Sequence, residues 1–419
     1  MLCYLGKTNA MKKKFALFLI LIFVHIQKSS AQQRIGFTMP AGTDKVTIPF
    51  EELNNLIVIP VILNNLLKLK FILDTGVETP ILTEEAFARI LNIDLIREIT
   101  ISGPGLVDSI HAKIGQKVKF QLPGGIIGHN LNLLVLEEDY LKLSQKMGDE
   151  IYGILGYDLF RQFVIDINYD EKIIILHRPE KYKAKKKQRV VPLKIISNKP
   201  YFQSVVRQKS ISDTVKLMID TGASHALILD VEQCAIPFPT KSLPTKLGTG
   251  LGGDIPGTYA RISEFKLVDL LFKEVIISIP DTTAYNQLIK RGSRQGTMGG
   301  EMLSRMHPVF DYNSSQMYIA KSNRYGSDFE IDMSGLSIVT KGRFLDTLMV
   351  EHVRKYSPAY NAGVLEGDII LMTNGYNLAN SSLSRINATL KRRPKYKINI
   401  RLLRGNKKIR KKFRLQRAI

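Results

Sequence analysis

The chain has 419 residues, enough for about three domains at roughly 150 residues each. Hydrophobic residues make up 44% and charged residues 23%, the proportions of a globular chain, which excludes collagen, a coiled coil and wholesale disorder. The formal charge of +22 is concentrated in runs: residues 391–419 hold fourteen Lys or Arg and no acid, and residues 181–189 hold six more. Such runs can meet nucleic acid or an anionic membrane surface. With no tryptophan and no RNP, finger or helix-turn-helix pattern, nothing here would read bases, so no nucleic acid is expected. Two cysteines, Cys3 and Cys234, make neither a disulfide framework nor a thiolate metal site. The seven histidines form no HExxH or HxH pair, so neither a metal nor a cofactor is expected.

In chain order, residues 1–31 read as a signal peptide: Lys12, Lys13 and Lys14, an apolar run over 15–26, then Ser29, Ser30 and Ala31, with cleavage after Ala31. The alternative is an uncleaved N-terminal membrane anchor, for which the run is short against the roughly 20 residues of a span. Export to the periplasm or cell envelope of a bacterium is the expectation. The mature chain would keep Cys234 alone and form no internal disulfide.

A hairpin is predicted next, with strands over 56–63 and 66–73 and a turn at Asn64-Asn65, running into Asp74-Thr75-Gly76. A short helix over 83–91 follows, with Thr83 as N-cap and Glu84 and Glu85 in its first turn. Then come the loop Ser102-Gly103-Pro104-Gly105, the segment Gly153-Ile154-Leu155-Gly156, and a hairpin of 164–167 with 173–176 around Tyr169-Asp170. Residues 181–195 read as a basic linker. Beyond it the pattern repeats: strands over 201–206 and 215–219 with a turn around 208–213, Asp220-Thr221-Gly222, then Gly296-Thr297-Met298-Gly299 and Asp311-Tyr312. The two Asp-Thr-Gly turns are offset by 220 − 74 = 146 residues and the two glycine segments by 296 − 153 = 143. Landmarks in one order at nearly one spacing make residues 45–180 and 196–322 a duplicated β domain.

An apolar strand ending in Asp-Thr-Gly, followed some eighty residues later by an apolar strand ending in glycine, resembles the retropepsin-like aspartic peptidases. The resemblance covers about residues 45–322 and implies two acid-protease lobes in one chain. The duplication suggests a pseudo-two-fold axis that brings Asp74 and Asp220 face to face. Carboxylates about 3 Å apart cannot both ionise and share one proton, so one can act as general base on a water while the other donates to the peptide carbonyl. Gly76 and Gly222 let backbone approach the carboxylates. The resemblance further implies that Thr75 and Thr221 bond across the interface, and that Ile154-Leu155-Gly156 and Thr297-Met298-Gly299 support the pair from behind. Flaps are expected at Gly103 and Gly105 in the first lobe and at Gly250, Gly252 and Gly253 in the second, where residues 247–257 hold five glycines.

The first copy departs from the family pattern in reading Val77-Glu78 after its glycine, and neither copy has a hydroxyl residue there, the second having Ala223. Side-chain alternation sends Glu78 toward solvent, and fewer donors should leave the shared proton bound toward neutral pH. Asp158, Asp166, Glu301 and Asp311 read as turn or salt-bridge residues, His111, His225 and His307 as structural, and Cys234 as a core residue.

From residue 329 the pattern changes. Ser357-Pro358-Ala359, Ala362-Gly363, Gly367-Asp368-Ile369-Ile370 and Asn374-Gly375 resemble a PDZ domain of the bacterial protease type over 329–419. Gly335, Leu336, Ser337 and Ile338 resemble its carboxylate-binding loop, which implies a C-terminal peptide as ligand. Residues 383–390 would be the groove helix, and 398–403 with 409–415 a closing hairpin. The expected fold is mainly β, two protease lobes plus an α+β PDZ domain. The expected function is exported aspartic endopeptidase acting on polypeptides as a monomer, and the alternative is a non-catalytic peptide-binding envelope scaffold.

Overall fold

The two copies of the repeat close into barrels by the same sequence of strand pairings. In the first, Leu56–Leu63 pairs with Leu67–Leu73, which runs parallel to Ile151–Leu155. That strand pairs with Ile81–Leu82, then come Ile126–Leu136 and Ile110–Leu122, and the last returns to Leu56–Leu63. In the second, Lys199–Gln208, Ile211–Ile219, Gly296–Met298, Leu227–Leu229, Leu270–Pro280 and Gly253–Leu267 follow in the same order and close through pairing of the first with the last. The parallel and antiparallel pairs fall at matching places. The structure, a computed structural model, describes residues 34–105, 109–281 and 294–419, and residues 36–419 form one unit. The expected signal peptide, residues 1–31, lies outside the described residues.

A six-stranded sheet joins the lobes. Lys45–Pro49, Ile173–His177 and Val164–Asn168 come from the first, Met306–Asp311 and Gln316–Lys321 from the second. The lobes meet where Ile165 faces Phe310 and Asp166 faces Val309. The sixth strand is Arg189–Pro192, paired with Gln316–Lys321, so part of the stretch read as a linker belongs to this sheet. Val191 is buried there, which the surrounding lysines conceal in the sequence. Lys194–Ile196 likewise pairs with Lys199–Gln208.

Two local expectations are corrected. The short helix spans Glu85–Ile90 with Glu84 as N-cap, not Thr83. Thr83 is fully buried and gives its N–H to the Tyr152 carbonyl at 3.0 Å, continuing the pairing of Ile81–Leu82 with Ile151–Leu155. The second-lobe hairpin turns at residues 209–210 alone, with Ser212 and Asp213 already in the Ile211–Ile219 strand.

The C-terminal region is a five-stranded antiparallel sheet in the order Leu336–Lys341, Thr347–Val353, Ile369–Thr373, Lys397–Arg404 and Lys407–Arg414. The helix Leu383–Leu390 starts at Ser382, whose hydroxyl accepts the Arg385 N–H at 3.3 Å, an N-cap that satisfies one orphan donor of the first turn. Its buried side chains, Leu383, Ile386 and Leu390, pack with Ile398, Ile400 and Leu402 in a core separate from that of the lobes. The chain is mainly β throughout.

Candidate active site

Each Asp-Thr-Gly turn sits where an apolar strand leaves its barrel. Asp74 follows Leu67–Leu73 and its N–H reaches the Leu155 carbonyl at 2.8 Å; Asp220 follows Ile211–Ile219 and reaches the Met298 carbonyl at 2.9 Å. The supporting segments thus hold the turns from behind. A Cβ on Gly156 would lie 2.2 Å from the Asp74 carbonyl oxygen, and one on Gly299 would lie 2.3 Å from that of His225, so both positions require glycine.

The two carboxyls lie close together at the lobe interface, each against the turn glycine of the opposite lobe. Gly76 N–H donates to Asp74 Oδ1 at 2.6 Å and Gly222 N–H to Asp220 Oδ1 at 2.9 Å. A Cβ on Gly222 would stand 2.2 Å from Asp74 Oδ2, and one on Gly76 3.3 Å from Asp220 Oδ2. Each glycine therefore makes room for the carboxylate of the opposite lobe. Burial, and then the negative charge of Asp220, push the Asp74 carboxyl well above the usual carboxylate range, opposed by the Gly76 N–H bond. Both side chains keep partial access to solvent.

Thr75 and Thr221 are buried and interlocked. Thr75 Oγ1 donates to the Ile219 carbonyl at 2.8 Å and accepts the Thr221 N–H at 3.1 Å. Thr221 Oγ1 donates to the Leu73 carbonyl at 2.7 Å and accepts the Thr75 N–H at 3.0 Å. Four reciprocal bonds thus tie the lobes directly beneath the carboxyls.

Two hairpins, one from each lobe, meet at their ends. One is formed by Asp94–Ile101 with Ile110–Leu122, the other by Ser242–Gly250 with Gly253–Leu267. Gly105 pairs with Gly252, and the Gly252 N–H donates to the Pro104 carbonyl at 2.9 Å. A Cβ on Gly103 would meet Leu251 Cβ at 2.6 Å, one on Gly105 the Gly252 carbon at 2.1 Å, and one on Gly250 the Pro104 oxygen at 2.2 Å. Gly253, with φ +91°, completes the second tip.

Three further features lie at this interface. Asn55 Nδ2 donates to the Ser224 carbonyl at 3.0 Å, and Asn198 Nδ2 to Glu78 Oε1 at 2.7 Å. Positions 55 and 198 correspond in the repeat, as do 78 and 224, so the two bonds are related by the pseudo-symmetry. Glu78 is exposed and tied to the opposite lobe. Tyr312, stacked on Phe160 with ring centroids 5.4 Å apart, buries its hydroxyl without a partner among the described residues; burial and then the charges of Asp74 and Asp220 hold that hydroxyl well above its usual range.

The remaining candidates sit in structural contacts. Asp158 pairs with Arg161 at 3.2 Å, Asp166 with Lys185 at 3.6 Å and Glu301 with Arg305 at 3.6 Å, while Asp311 Oδ1 accepts the Ser314 N–H at 3.0 Å. His111 meets Glu98 at 3.2 Å and His307 meets Asp170 at 3.0 Å. His225 Nδ1 lies 2.7 Å from Ser278 Oγ, and burial lowers its pKa to about 4, which keeps it neutral. Burial raises the Cys234 thiol to about 12, far from a thiolate nucleophile.

The PDZ loop differs from expectation. The Gly335 N–H donates to Asp332 Oδ2, as does the Leu336 N–H at 3.2 Å, and Asp332 Oδ1 accepts Ser334 Oγ at 2.6 Å and the Ser334 N–H at 3.2 Å. The donors read as a seat for a peptide's terminal carboxylate are thus engaged by a carboxylate of the chain itself. Ser337 Oγ donates to Glu351 Oε2 at 3.0 Å, and Ile338 is buried in the domain core. The groove strand Leu336–Lys341 and the start of the groove helix abut the first lobe's helix Leu143–Met147: Thr340 Oγ1 donates to the Gln145 carbonyl at 2.8 Å and Lys341 Nζ to Gln145 Oε1 at 2.8 Å. A Cβ on Gly148 would stand 2.7 Å from Leu383 Cβ.

Among the described residues no cluster of three or more His, Cys, Asp or Glu side chains could hold a metal ion. Residues 59–159 match the aspartyl protease family model and residues 324–414 the PDZ domain model. No curated protein matches the chain. The second lobe's kinship rests on its reproducing the first lobe's barrel, turn and threonine contacts. The chain therefore combines an aspartyl protease domain with a C-terminal PDZ domain.

Proposed function

We propose that the protein is an exported aspartic-type endopeptidase in which Asp74 and Asp220 activate water against a peptide bond. The observation that carries this reading is the close approach of two carboxyls, one from each lobe and each against the opposite lobe's glycine, where burial and the charge of Asp220 favour the protonated form of Asp74. The ionised member takes a proton from water as the oxygen attacks the scissile carbonyl carbon. The protonated member donates to the carbonyl oxygen as negative charge builds there. The tetrahedral intermediate then breaks at its C–N bond, the amine nitrogen receives a proton, and water has been added across the peptide. The meeting hairpin tips would open to admit an extended polypeptide and close to exclude bulk water. A role for the PDZ domain in recruiting substrate or regulating access, and a periplasmic or envelope location, complete the proposal.

The test is cleavage of a peptide library by the full chain across pH, beside Asp74→Asn and Asp220→Asn. Both variants should lose cleavage while remaining folded. Equal cleavage by either variant and the parent would remove the dyad from the mechanism and leave the non-catalytic scaffold.

A further inference from the structure

The strands Lys397–Arg404 and Lys407–Arg414 form a hairpin whose inner face, Ile398, Ile400 and Leu402, is buried in the PDZ core. The register places Lys397 against Arg414, Asn399 against Lys412, Arg401 against Arg410 and Leu403 against Lys408. One outward face therefore carries Lys397, Arg401, Lys408, Arg410, Lys412 and Arg414, all exposed, and no acid. At about 3.4 Å per residue and about 4.8 Å between strands, the array is roughly 20 Å long and two strands wide.

Two cation pairs stand directly opposite each other on neighbouring strands, a placement that destabilises a sheet. None of the six is paired with a carboxylate among the described residues; Arg410 Nε donates to Asn399 Oδ1 at 2.8 Å and Arg414 to the Lys395 carbonyl at 3.0 Å. The same sheet pairs Arg404 with Asp368 at 2.7 Å, so acids are at hand where pairing serves the fold. Lysines on an edge strand guard it against aggregation. That accounts for charge on Lys407–Arg414 but not for Lys397 and Arg401, which lie on an interior strand. The domain meets the first lobe through Leu336–Lys341 and the second through Ile419, and the six side chains stay exposed, so domain docking leaves the array uncovered.

We propose that this face docks the protein on a bilayer surface rich in anionic phospholipid. A flat array of cations fits phosphates lying in a plane. Binding to a nucleic-acid strand calls instead for a groove with aromatic side chains among the cations, and the hairpin's one Phe, Phe413, alternates with the outward residues. The N-terminal sequence, with three lysines before an apolar run, also brings the chain to a membrane during synthesis.

The experiment is co-sedimentation of the full chain with vesicles of phosphatidylcholine alone or phosphatidylcholine plus phosphatidylglycerol. The comparison is with a Lys408→Gln, Arg410→Gln, Lys412→Gln, Arg414→Gln variant. None of these residues is in the protease site, so peptide cleavage and the melting transition report intact folding. The parent should bind phosphatidylglycerol vesicles at least about tenfold more tightly than the variant. The difference should vanish near about 1 M salt, where the screening length is about 3 Å. Because both chains carry the same N-terminal segment, its contribution cancels. Equal, salt-insensitive binding by the two would overturn the proposal, and so would tighter binding of the parent to single-stranded DNA than to anionic vesicles.

Discussion

Replacing Thr221 by valine tests whether the lobes are held together beneath the carboxyls by hydrogen bonding. Valine keeps the shape and removes only the hydroxyl. Thr221 Oγ1 donates to the Leu73 carbonyl at 2.7 Å and accepts the Thr75 N–H at 3.0 Å, so the substitution strands two buried backbone groups. Each unsatisfied group costs about 1–3 kcal/mol, which sums to about 2–6 kcal/mol against a typical total of about 5–15 kcal/mol. Urea unfolding should show stability falling by that amount, as a lower midpoint with little change in slope, and cleavage should fall with it as the two aspartates lose register. Thr221→Ser retains both bonds and should lose far less. A loss below about 1 kcal/mol for Thr221→Val, or equal losses for valine and serine, would refute the argument.

The raised Asp74 carboxyl sets a pH dependence. Its protonated form is favoured in the fold, so its contribution to stability is present below the ordinary carboxylate range and is lost as pH rises through the raised value. Asp74→Asn should therefore gain melting temperature relative to the parent from acid toward neutral pH, and a pH-independent difference would contradict this. The shared proton should also carry cleavage toward neutral pH, and a pH–rate profile peaking below about pH 3 would oppose it. Gly105→Val meets a φ of +138° and a contact 2.1 Å from the Gly252 carbon, so it should part the tips and lower kcat/KM about tenfold or more; unchanged kinetics would sink the closing role of the tips. Asp332→Ala should cost about 2–3 kcal/mol by stranding its donors, and acetate should restore stability to this variant but not to the parent. Identical responses to acetate would mean that Asp332 does not fill the loop.

What could be read along the chain was what local pattern controls. The Asp-Thr-Gly strands, the Leu56–Leu63 hairpin and the helix Leu383–Leu390 follow from apolar periodicity broken by turn or cap residues, and the structure places them there. The duplication was legible because each copy needs the same glycines for the same close approaches. The misses share another cause, contacts set by distant chain. Asn55 and Asn198 look like turn residues, and each has positive φ, but their amides reach across to the opposite lobe. Thr83 has cap chemistry, and neighbouring strands override it. Arg189–Pro192 is a strand because the partner strand Gln316–Lys321 is there to receive it. Asp332 lies two residues before Ser334, and only the folded loop shows that its carboxylate turns back onto those N–H groups.

The attachment of the PDZ domain to the first lobe runs through few atoms and leads toward the dyad. Thr340 and Lys341 hold Gln145; the adjacent Ser144 Oγ donates to the Ile151 carbonyl at 2.9 Å and accepts the Ile151 N–H at 3.1 Å. Ile151–Leu155 then lies parallel to Leu67–Leu73, and its Leu155 carbonyl receives the Asp74 N–H at 2.8 Å. Spatial continuity alone does not establish coupling, but the link can be cut without touching either core. The lobes and the PDZ sheet bury separate clusters, with Phe329 and Ile419 at the ends of the C-terminal region joining the lobe cluster, so cooperativity depends on those anchors and on surface contacts such as these. Thr340→Val with Lys341→Gln removes two hydrogen bonds worth about 1 kcal/mol each. Calorimetry should then resolve an earlier transition of the PDZ domain from that of the lobes, and cleavage by the variant should respond differently to added peptide. If the thermogram and the kinetics both match the parent, the contact at Gln145 is packing without consequence, and the domains are coupled through other contacts, such as Ile419 in the lobe core and its carbonyl on Arg261.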